Sequence, residues 1–549
     1  MTVTLVWLSD RLTESLPTWP LGQVTAVAPT PAAIEQWLAN SPDLGEFCFF
    51  WNAQLLEPPL ALVQQISQQS GDVWHAGLCL GMTGLPLLID YVNPVWQFNC
   101  DPDPQVEATS WRLSLQSCLV RTVVLQQLGG PDARFASLSG ASLELGHRWL
   151  RRGAFIRHMP ALAPATAEPL PPPSLQDEFL FVRLGYGRLW HNWAFYRALA
   201  TGHLPLTGWR AWWQTRKAQP TTLRTPLREV TVTAGASPVT IAVLIPTLDR
   251  YSYLRRLLGQ LRQQSIKPHQ IIVIDQTPIR RRQPDWPAQF SDLPLVVIWR
   301  DQPGQCTSRN AGLQTVNSDY VLFLDDDDEI PNDLIARHLA FLAHHAADAS
   351  CGVAAEVGAG PLPRDFTYPR ISDVFPTNNA LLKKEALHDS GLFDLAYERG
   401  SRADGDLGMR LYLAGKQLLL NPAAQVIHLH APEGGLRDHQ ARATTRANSR
   451  ASLTRRHLLE ATEAYLWWRY FSPRQVQEAS LIRTLASLRG EGPRWQIYLR
   501  AFLMAVLLPL TRYQNQQRLQ AGANLCEQFP QIPTLQGDLS EVIYNDHKH

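Results

Sequence analysis

The feature that most constrains this 549-residue chain is a train of short apolar runs between Val239 and Glu329, each stopped by a proline, a turn or a carboxylate. Val239 to Ile245 (VTIAVLI) is continuously apolar, as a strand buried on both faces must be, and Pro246 ends it. Tyr251 to Gln264 carries Leu254, Leu257, Leu258 and Leu261 at helical spacing, which gives one apolar face. Ile271 to Ile274 reads as the next buried strand and runs into Asp275. Leu295 to Trp299 reads as a third strand, Cys306 to Val316 as a helix, and Tyr320 to Leu324 as a fourth strand that ends in Asp325. This β-α-β alternation predicts an α/β fold with a right-handed, doubly wound, mostly parallel sheet. Ligands of such sheets sit beyond the carboxyl ends of the strands, where Asp275 and the run Asp325 to Asp328 lie.

The chain is too long for one compact unit. At 45% hydrophobic and 18% charged residues it is globular and not a disordered chain. Its 50 basic and 49 acidic residues nearly cancel, so no global field exists to hold a nucleic acid, and none is expected as a partner. The seven cysteines, Cys79 among them, are scattered without zinc or CxxC spacing and read as reduced thiols of a cytoplasmic protein. The opening MTVTLVWLSDRL lacks a basic segment and a cleavage site, and reads as a strand. The longest apolar run, Ala501 to Leu510, is too short to span a bilayer. Periodicity divides the chain into residues 1–165, an α/β unit; 166–229, a Pro-rich linker with aromatic helices; 230–445, the second α/β unit; and 446–549, a helical, Arg-rich region.

The run Asp325-Asp326-Asp327-Asp328-Glu329 directly follows the apolar YVLFL. Adjacent carboxylates at a strand end repel one another, and Mg²⁺ or Mn²⁺, which prefer oxygen ligands and keep sites for phosphate oxygens, is the simplest compensation. An isolated acidic run is ordinarily only a solvated loop. Here the buried strand before it and Pro331 after it fix its place.

Four segments in order then resemble the family 2 glycosyltransferases, nucleotide-sugar enzymes of GT-A fold. They are VTIAVLIPTLDR (239–250), IIVIDQTP (271–278), GQCTSRNAGLQTVNSDYVLFLDDDDEIP (304–331), and NNALLKKEALHDSGLFD with ADGDLGMRLYLAG (378–394 and 403–415). The resemblance implies that Pro246, Thr247 and Asp249 hold the nucleotide and that Asp275 reads the base edge. It implies that Arg309 and Asn310 lie near the donor, and that Asp325 and Asp327 are the two ends of a DxD motif holding a metal on the diphosphate, with Asp326 between them. Asp404 matches the acidic residue that takes the acceptor hydroxyl's proton. One departure is that the family's Glu before this Asp is Ala403 here. An N-cap role for Asp404 is the plainer alternative. The family also draws a further metal ligand from a histidine near VIHLHAPEGGLRDH. Alternation along a strand puts His428 and His430 on one face, and His430 is the expected ligand. Gly434, Gly435 and Arg437 then form a loop over the diphosphate.

The chain also resembles itself. Gly45 to Pro58 lies over Ser318 to Pro331, and Cys118 to Pro160 lies over Ala380 to Pro422 without a gap. The second alignment matches Gly129 with Gly391, Asp132 with Asp394, Gly146 with Gly408, Arg148 with Arg410 and Gly153 with Gly415. A degenerate GT-A-like first domain is therefore expected. Its DxD position reads Asn52-Ala53-Gln54, its base position Ser142, and its counterpart of His430 is Glu168. Without those carboxylates it is expected to be non-catalytic.

Leu453 to Tyr470 is amphipathic and aromatic, and Trp495 to Tyr513 is apolar with Arg500, Arg512 and aromatic ends. The plainer reading of the second helix is packing against the catalytic domain. The other is peripheral contact of 495–513 with the inner face of a membrane. The main expectation is a metal-dependent, inverting glycosyltransferase that moves a sugar from a nucleotide-sugar donor to a glycan or lipid-linked acceptor. A nucleotidyltransferase acting on sugar phosphates is the first alternative, but LIPTLDRYSY lacks the basic, Gly-rich phosphate loop it needs. A non-enzymatic binding scaffold is the second.

Overall fold

The computed structural model describes residues 2–11, 16–55, 57–77, 95–164, 170–220, 239–358, 360–439 and 452–535, with residues 86, 88–91, 93, 167 and 226–228. The first sheet contains β1 (Val3–Leu8), β2 (Val24–Val27), β3 (Phe47–Asn52), β4 (Val73–His75), β5 (Ala108–Thr109), β6 (Ser117–Arg121) and β7 (Ile156–His158), in the order β2-β1-β3-β6-β4-β7-β5. The second contains β8 (Ile241–Thr247), β9 (Gln270–Asp275), β10 (Leu295–Trp299), β11 (Tyr320–Leu324), β12 (Asp328–Glu329), β13 (Ala349–Glu356), β14 (Arg370–Ile371), β15 (Asn379–Lys383) and β16 (Leu418–His428). Its order is β10-β9-β8-β11-β15-β13-β16-β12, with β14 on β16. The fold class is α/β, as expected. The second sheet is parallel through β10-β9-β8-β11 and is then reversed by β15.

Strands β8, β9 and β11 are buried along almost their whole length, which matches their unbroken apolar sequence. The helix Tyr251–Arg262 buries Leu254, Leu257, Leu258 and Leu261, the face its spacing predicted. The two sheets share one plan. Strands β2-β1-β3-β6-β4-β7 correspond to β9-β8-β11-β15-β13-β16 in order and in every parallel or antiparallel sense. The register is also shared. Ala108 faces His158 across β5 and β7, and Arg370 faces Leu420 across β14 and β16, at the same sequence offset.

The helix ends repeat as well. Arg148 donates to Glu144 at 2.9 Å and to the carbonyls of Leu128 and Gly130, while Arg410 donates to Asp406 at 2.9 Å and to the carbonyl of Ser390. Each arginine ties the helix after the β6 or β15 strand to the turn at Gly129 or Gly391, both of which take positive φ.

The aromatic helices expected beside the linker, Leu175–Tyr186, Arg188–Ala200 and Pro205–Thr215, pack on the first unit. Asp177 accepts from Ala136 N, Ser137 N and Ser137 Oγ, capping the helix Leu138–Leu150 from outside. Trp96 reaches Asp373 at 3.0 Å and Tyr412 reaches the carbonyl of Cys100 at 2.8 Å, so the two units share a packed face. The C-terminal helix Ala461–Tyr470 brings Tyr465 to Asp394 (2.6 Å) and Tyr470 to Asp406 (2.7 Å). The apolar segment expected as one helix over 495–513 is two, Arg494–Val506 and Leu508–Gln528, because Pro509 fits only in the first turn of a new helix. Its buried Arg500 bonds to the carbonyls of Arg489, Ser452 and Arg455, so it packs on the C-terminal region itself. Among the described residues, no helix is long and apolar enough to cross a membrane. Cys79 and Glu168 lie outside the described residues.

Candidate functional site

The carboxyl ends of β8 and β11 open on a cleft of about 440 Å³. Pro246, Thr247, Arg309, Asp325, Asp326, Asp327 and His430 line it, as do Arg250, Gln276 and His428. Strand β11 delivers Asp325 directly to the rim. Three residues later the chain pairs with β16, setting Asp328 opposite His428. That pairing carries the imidazole across about 100 residues of sequence onto the acidic run.

Each carboxylate of the run is held by a different partner. Arg309 Nη2 donates to Asp325 at 3.1 Å. Asp326 accepts from Thr247 Oγ1 at 2.7 Å and from Arg250 Nη1 at 3.1 Å. Asp327 accepts from Ala431 N at 2.9 Å and lies 3.2 Å from Arg250. Asp328 accepts from Asp325 N at 2.9 Å and bonds His428 Nδ1 at 2.9 Å. Burial pushes Asp326 up to about 7, against the opposing charge of Arg250 and with the neighbouring Asp327 and Asp325 adding to it. Burial disfavours charge on His428. The hydrogen bond to Asp328 and the charges of Asp328, Asp327 and Asp325 together outweigh it and raise the imidazole to about 9.

Among the described residues, one group of three or more His, Cys, Asp and Glu side chains has ligand atoms within 4.8 Å of one another: Asp325, Asp327 and His428. Two carboxylates and an imidazole suit a divalent cation. Nδ1 of His428 faces both Asp328 at 2.9 Å and Asp327 at 3.8 Å. The group contains His428 rather than His430, the expected third member. Strand β16 ends at His428, and His430 takes φ 52, so the strand alternation that joined the two stops between them. His430 still lines the cleft, half-exposed and 3.6 Å from Glu356.

Four other expected residues fall outside the cleft lining. Asp249, at φ 59, turns away to pair with Arg281 at 2.5 Å and with His439 at 3.4 Å. Asp275 is fully buried and accepts from Tyr251 Oη and Thr277 N, both at 2.9 Å, so its oxygens hold the loop, and the adjacent Gln276 reaches the cleft. Asn310 sits on the inner side of the helix Gln305–Gln314, and its amide donates to and accepts from the backbone of Phe393, both at 2.8 Å. Asp404 lies in the first turn of the helix Ala403–Leu413 and accepts from Gly405 N. The N-cap of that helix is Arg402 at φ 82, so Asp404 does not have the capping role.

Two residues were not singled out from the sequence. Arg250, next to the quoted Asp249, ties the acidic run to the loop after β16 through the carbonyls of Glu433 and Ala431. Gly434 and Gly435 pack on it at positive φ, where a side chain would strike Leu248, Asp249 and Arg250. The signal available was the charge balance, since four adjacent carboxylates at a buried strand end need internal cations. Glu398 accepts from Cys306 N at 2.7 Å and Thr307 N at 3.1 Å, filling the N-terminus of the helix that carries Arg309. That helix end is thus already satisfied from within the chain, and no local spacing points to a partner so far away.

Among the described residues, the positions of the first sheet that align with Asp325, Asp327 and Asp404 hold amide and hydroxyl side chains. Asn52 accepts from Gln54 N at 3.0 Å, and the buried Ser142 accepts from Leu115 N.

Residues 242–395 match the model of glycosyl transferase family 2. A pre-mycofactocin glycosyltransferase of Mycobacterium tuberculosis is 28% identical over 247 residues, which are 41% of this chain and 49% of that protein, so the chain spans about half the length of this curated relative. The structure of S. aureus TarS 1–349 in complex with UDP-GlcNAc is 17% identical and covers 53% of this chain and 92% of its own, with a TM-score of 0.34. The mannosyltransferase PcManGT of Pyrobaculum calidifontis, in complex with GDP-Man and Mn²⁺, is 17% identical and covers 57% of this chain and 80% of its own, with a TM-score of 0.31.

Proposed function

We propose, from the match of residues 242–395 to the model of glycosyl transferase family 2, that the chain transfers a sugar from a nucleotide-diphosphate donor to a hydroxyl of a glycan or lipid-linked acceptor, with inversion at the anomeric carbon. The observation that carries this reading is the meeting of Asp325, Asp327 and His428 in a cleft walled by Thr247, Arg250 and Arg309. Asp325, Asp327 and His428 would hold Mg²⁺ or Mn²⁺. The cation would supply positive charge to the leaving nucleoside diphosphate.

The protein groups do the rest. Arg309 and Arg437 present guanidinium groups to the cleft, where they bind phosphate oxygens. Arg250 neutralises Asp326 and fastens the loop of Gly434 and Gly435 over the donor. Asp404 is the proposed general base, on the strength of its match to the family motif. It takes the proton of the attacking hydroxyl as the bond to the anomeric carbon forms and the bond to the diphosphate oxygen breaks. The first unit, with amide and hydroxyl groups where the second has carboxylates, is proposed to be non-catalytic.

A panel of nucleotide sugars with Mn²⁺ or Mg²⁺ tests the reading through the product released. Free nucleoside diphosphate supports sugar transfer. Pyrophosphate would instead assign nucleotidyl transfer, and release of neither product from any donor would leave a binding scaffold. Asp404→Asn is expected to retain nucleotide-diphosphate binding, seen as thermal stabilisation, while losing transfer. Equal loss of both would remove Asp404 from the base role.

A further inference from the structure

The C-terminal helices Arg494–Val506 and Leu508–Gln528 turn one side to the protein and the other to solvent. On the inner side Arg500, 2% exposed, is bound by three backbone carbonyls, and Met504 is buried one turn further on. These contacts fix the rotation of the first helix. Its outer side therefore carries Trp495, Tyr498, Leu499, Phe502 and Val506 at three- and four-residue spacing, and Leu510 and Tyr513 continue the exposed apolar series in the second helix. Tyr498 is 72% exposed and Phe502 67%. A run of seven large apolar side chains is more than a water-facing surface ordinarily leaves bare.

The charge around this stripe has one sign. From Gly492 to Cys526 the chain holds four arginines and no Asp or Glu, although the whole chain is almost neutral. With Arg500 turned inward, Arg494, Arg512 and Arg518 remain exposed. Aromatic rings stand at both ends, Trp495 and Tyr498 at one and Tyr513 at the other. Such rings favour the level of lipid headgroups, where one side of the ring is wet and the other apolar. A second copy of the chain, docked symmetrically on this stripe, would bring arginines against arginines. We propose that residues 494–513 lie in the plane of an anionic lipid surface, with the apolar stripe inserted and the arginines on the headgroups. This contact is shallow and non-spanning, and it does not rest on the donor-site reading.

The test is sedimentation of the full chain with phosphatidylcholine vesicles, with and without phosphatidylglycerol. Binding is expected only to the anionic vesicles and is expected to weaken as salt is raised. A Trp495→Ser/Phe502→Ser double variant should lose about tenfold of that binding, because it removes two of the inserted rings. Arg494→Glu/Arg512→Glu should abolish the preference for phosphatidylglycerol. All four side chains are exposed, so circular dichroism and thermal midpoints should match the parent chain. Absence of binding, equal binding to both vesicle types, or full binding by both variants would overturn the proposal. So would light scattering that shows a dimer dispersed by the aromatic substitutions while vesicles capture nothing.

Discussion

The two sheets of this molecule share strand order, strand sense and the arginine that pins the helix after the fourth aligned strand. They differ at the rim. Beyond β11 stand Asp325 to Asp328, met by His428, Arg250 and Arg309. At the end of β3 stand Asn52 and, just beyond it, Gln54, which bond to each other. The difference teaches that this scaffold does not need its carboxylates to fold. What both copies keep is backbone closure, through Gly129 and Gly391, and the buried ion pairs Arg148–Glu144 and Arg410–Asp406. At the second rim the buried acids Asp326, Asp327 and Asp328 would be destabilising without Arg250 and His428 beside them.

The sharpest way to break the comparison is at the rims. Asp327→Asn should lower donor turnover by about 10²–10³-fold, measured as nucleoside diphosphate release, as expected for loss of a charged group at the reacting diphosphate. Retention of full turnover would mean that the second rim is as inert as the first. The shared arginines should be worth similar amounts. Arg410→Met and Arg148→Met should each cost about 3 kcal/mol by urea unfolding, because each leaves a buried carboxylate and helix-end carbonyls without a partner. A large cost at one site and none at the other would show that the two helices are held by different means.

A third effect belongs to the first unit alone. Burial, helped by the nearby Asp90 and Asp177, raises Glu178 from its ordinary 4.5 to about 7, although it accepts from Leu88 N. The folded state therefore binds this proton more tightly than the unfolded chain. The resulting stability is fully present below pH 4.5 and is lost as pH rises through about 7. Glu178→Gln should remove that loss, gaining on the order of 2 kcal/mol over the parent chain between pH 5 and 8 in pH-resolved denaturation. An unchanged difference across that range would place the proton elsewhere. The smallest effect should come from Asn52→Ala with Gln54→Ala, expected to change turnover less than about twofold because neither side chain faces the donor cleft. A larger loss would give the first rim a part in the reaction.

Much of this was legible in the chain. The strands β8, β9 and β11 and the helix Tyr251–Arg262 follow from apolar runs and 3.6-residue spacing, which report burial directly, whereas the apolar run of β10 lies half-exposed. The placing of Asp325 to Asp327 at the cleft follows from a strand end, and that of Thr247 and Arg309 from what the family resemblance implied. Asp275, Asn310 and Asp249 were legible as polar residues near that rim but not in their direction. Asp275 is spent on Tyr251 and the adjacent Thr277, Asn310 on the distant Phe393, and Asp249 is turned by a left-handed backbone.

The sequence by itself determined the alternation of elements, the repeated plan of the two sheets and the acidity of one strand end, because these depend on local pattern and on matched residues at a constant offset. Only the tertiary structure decided which histidine meets the acids, which arginines neutralise them and which side of the C-terminal helices faces water. Those outcomes depend on antiparallel pairing of β12 with β16 and on the inward turn of Arg500, and contacts between residues tens to a hundred positions apart leave no periodicity to read.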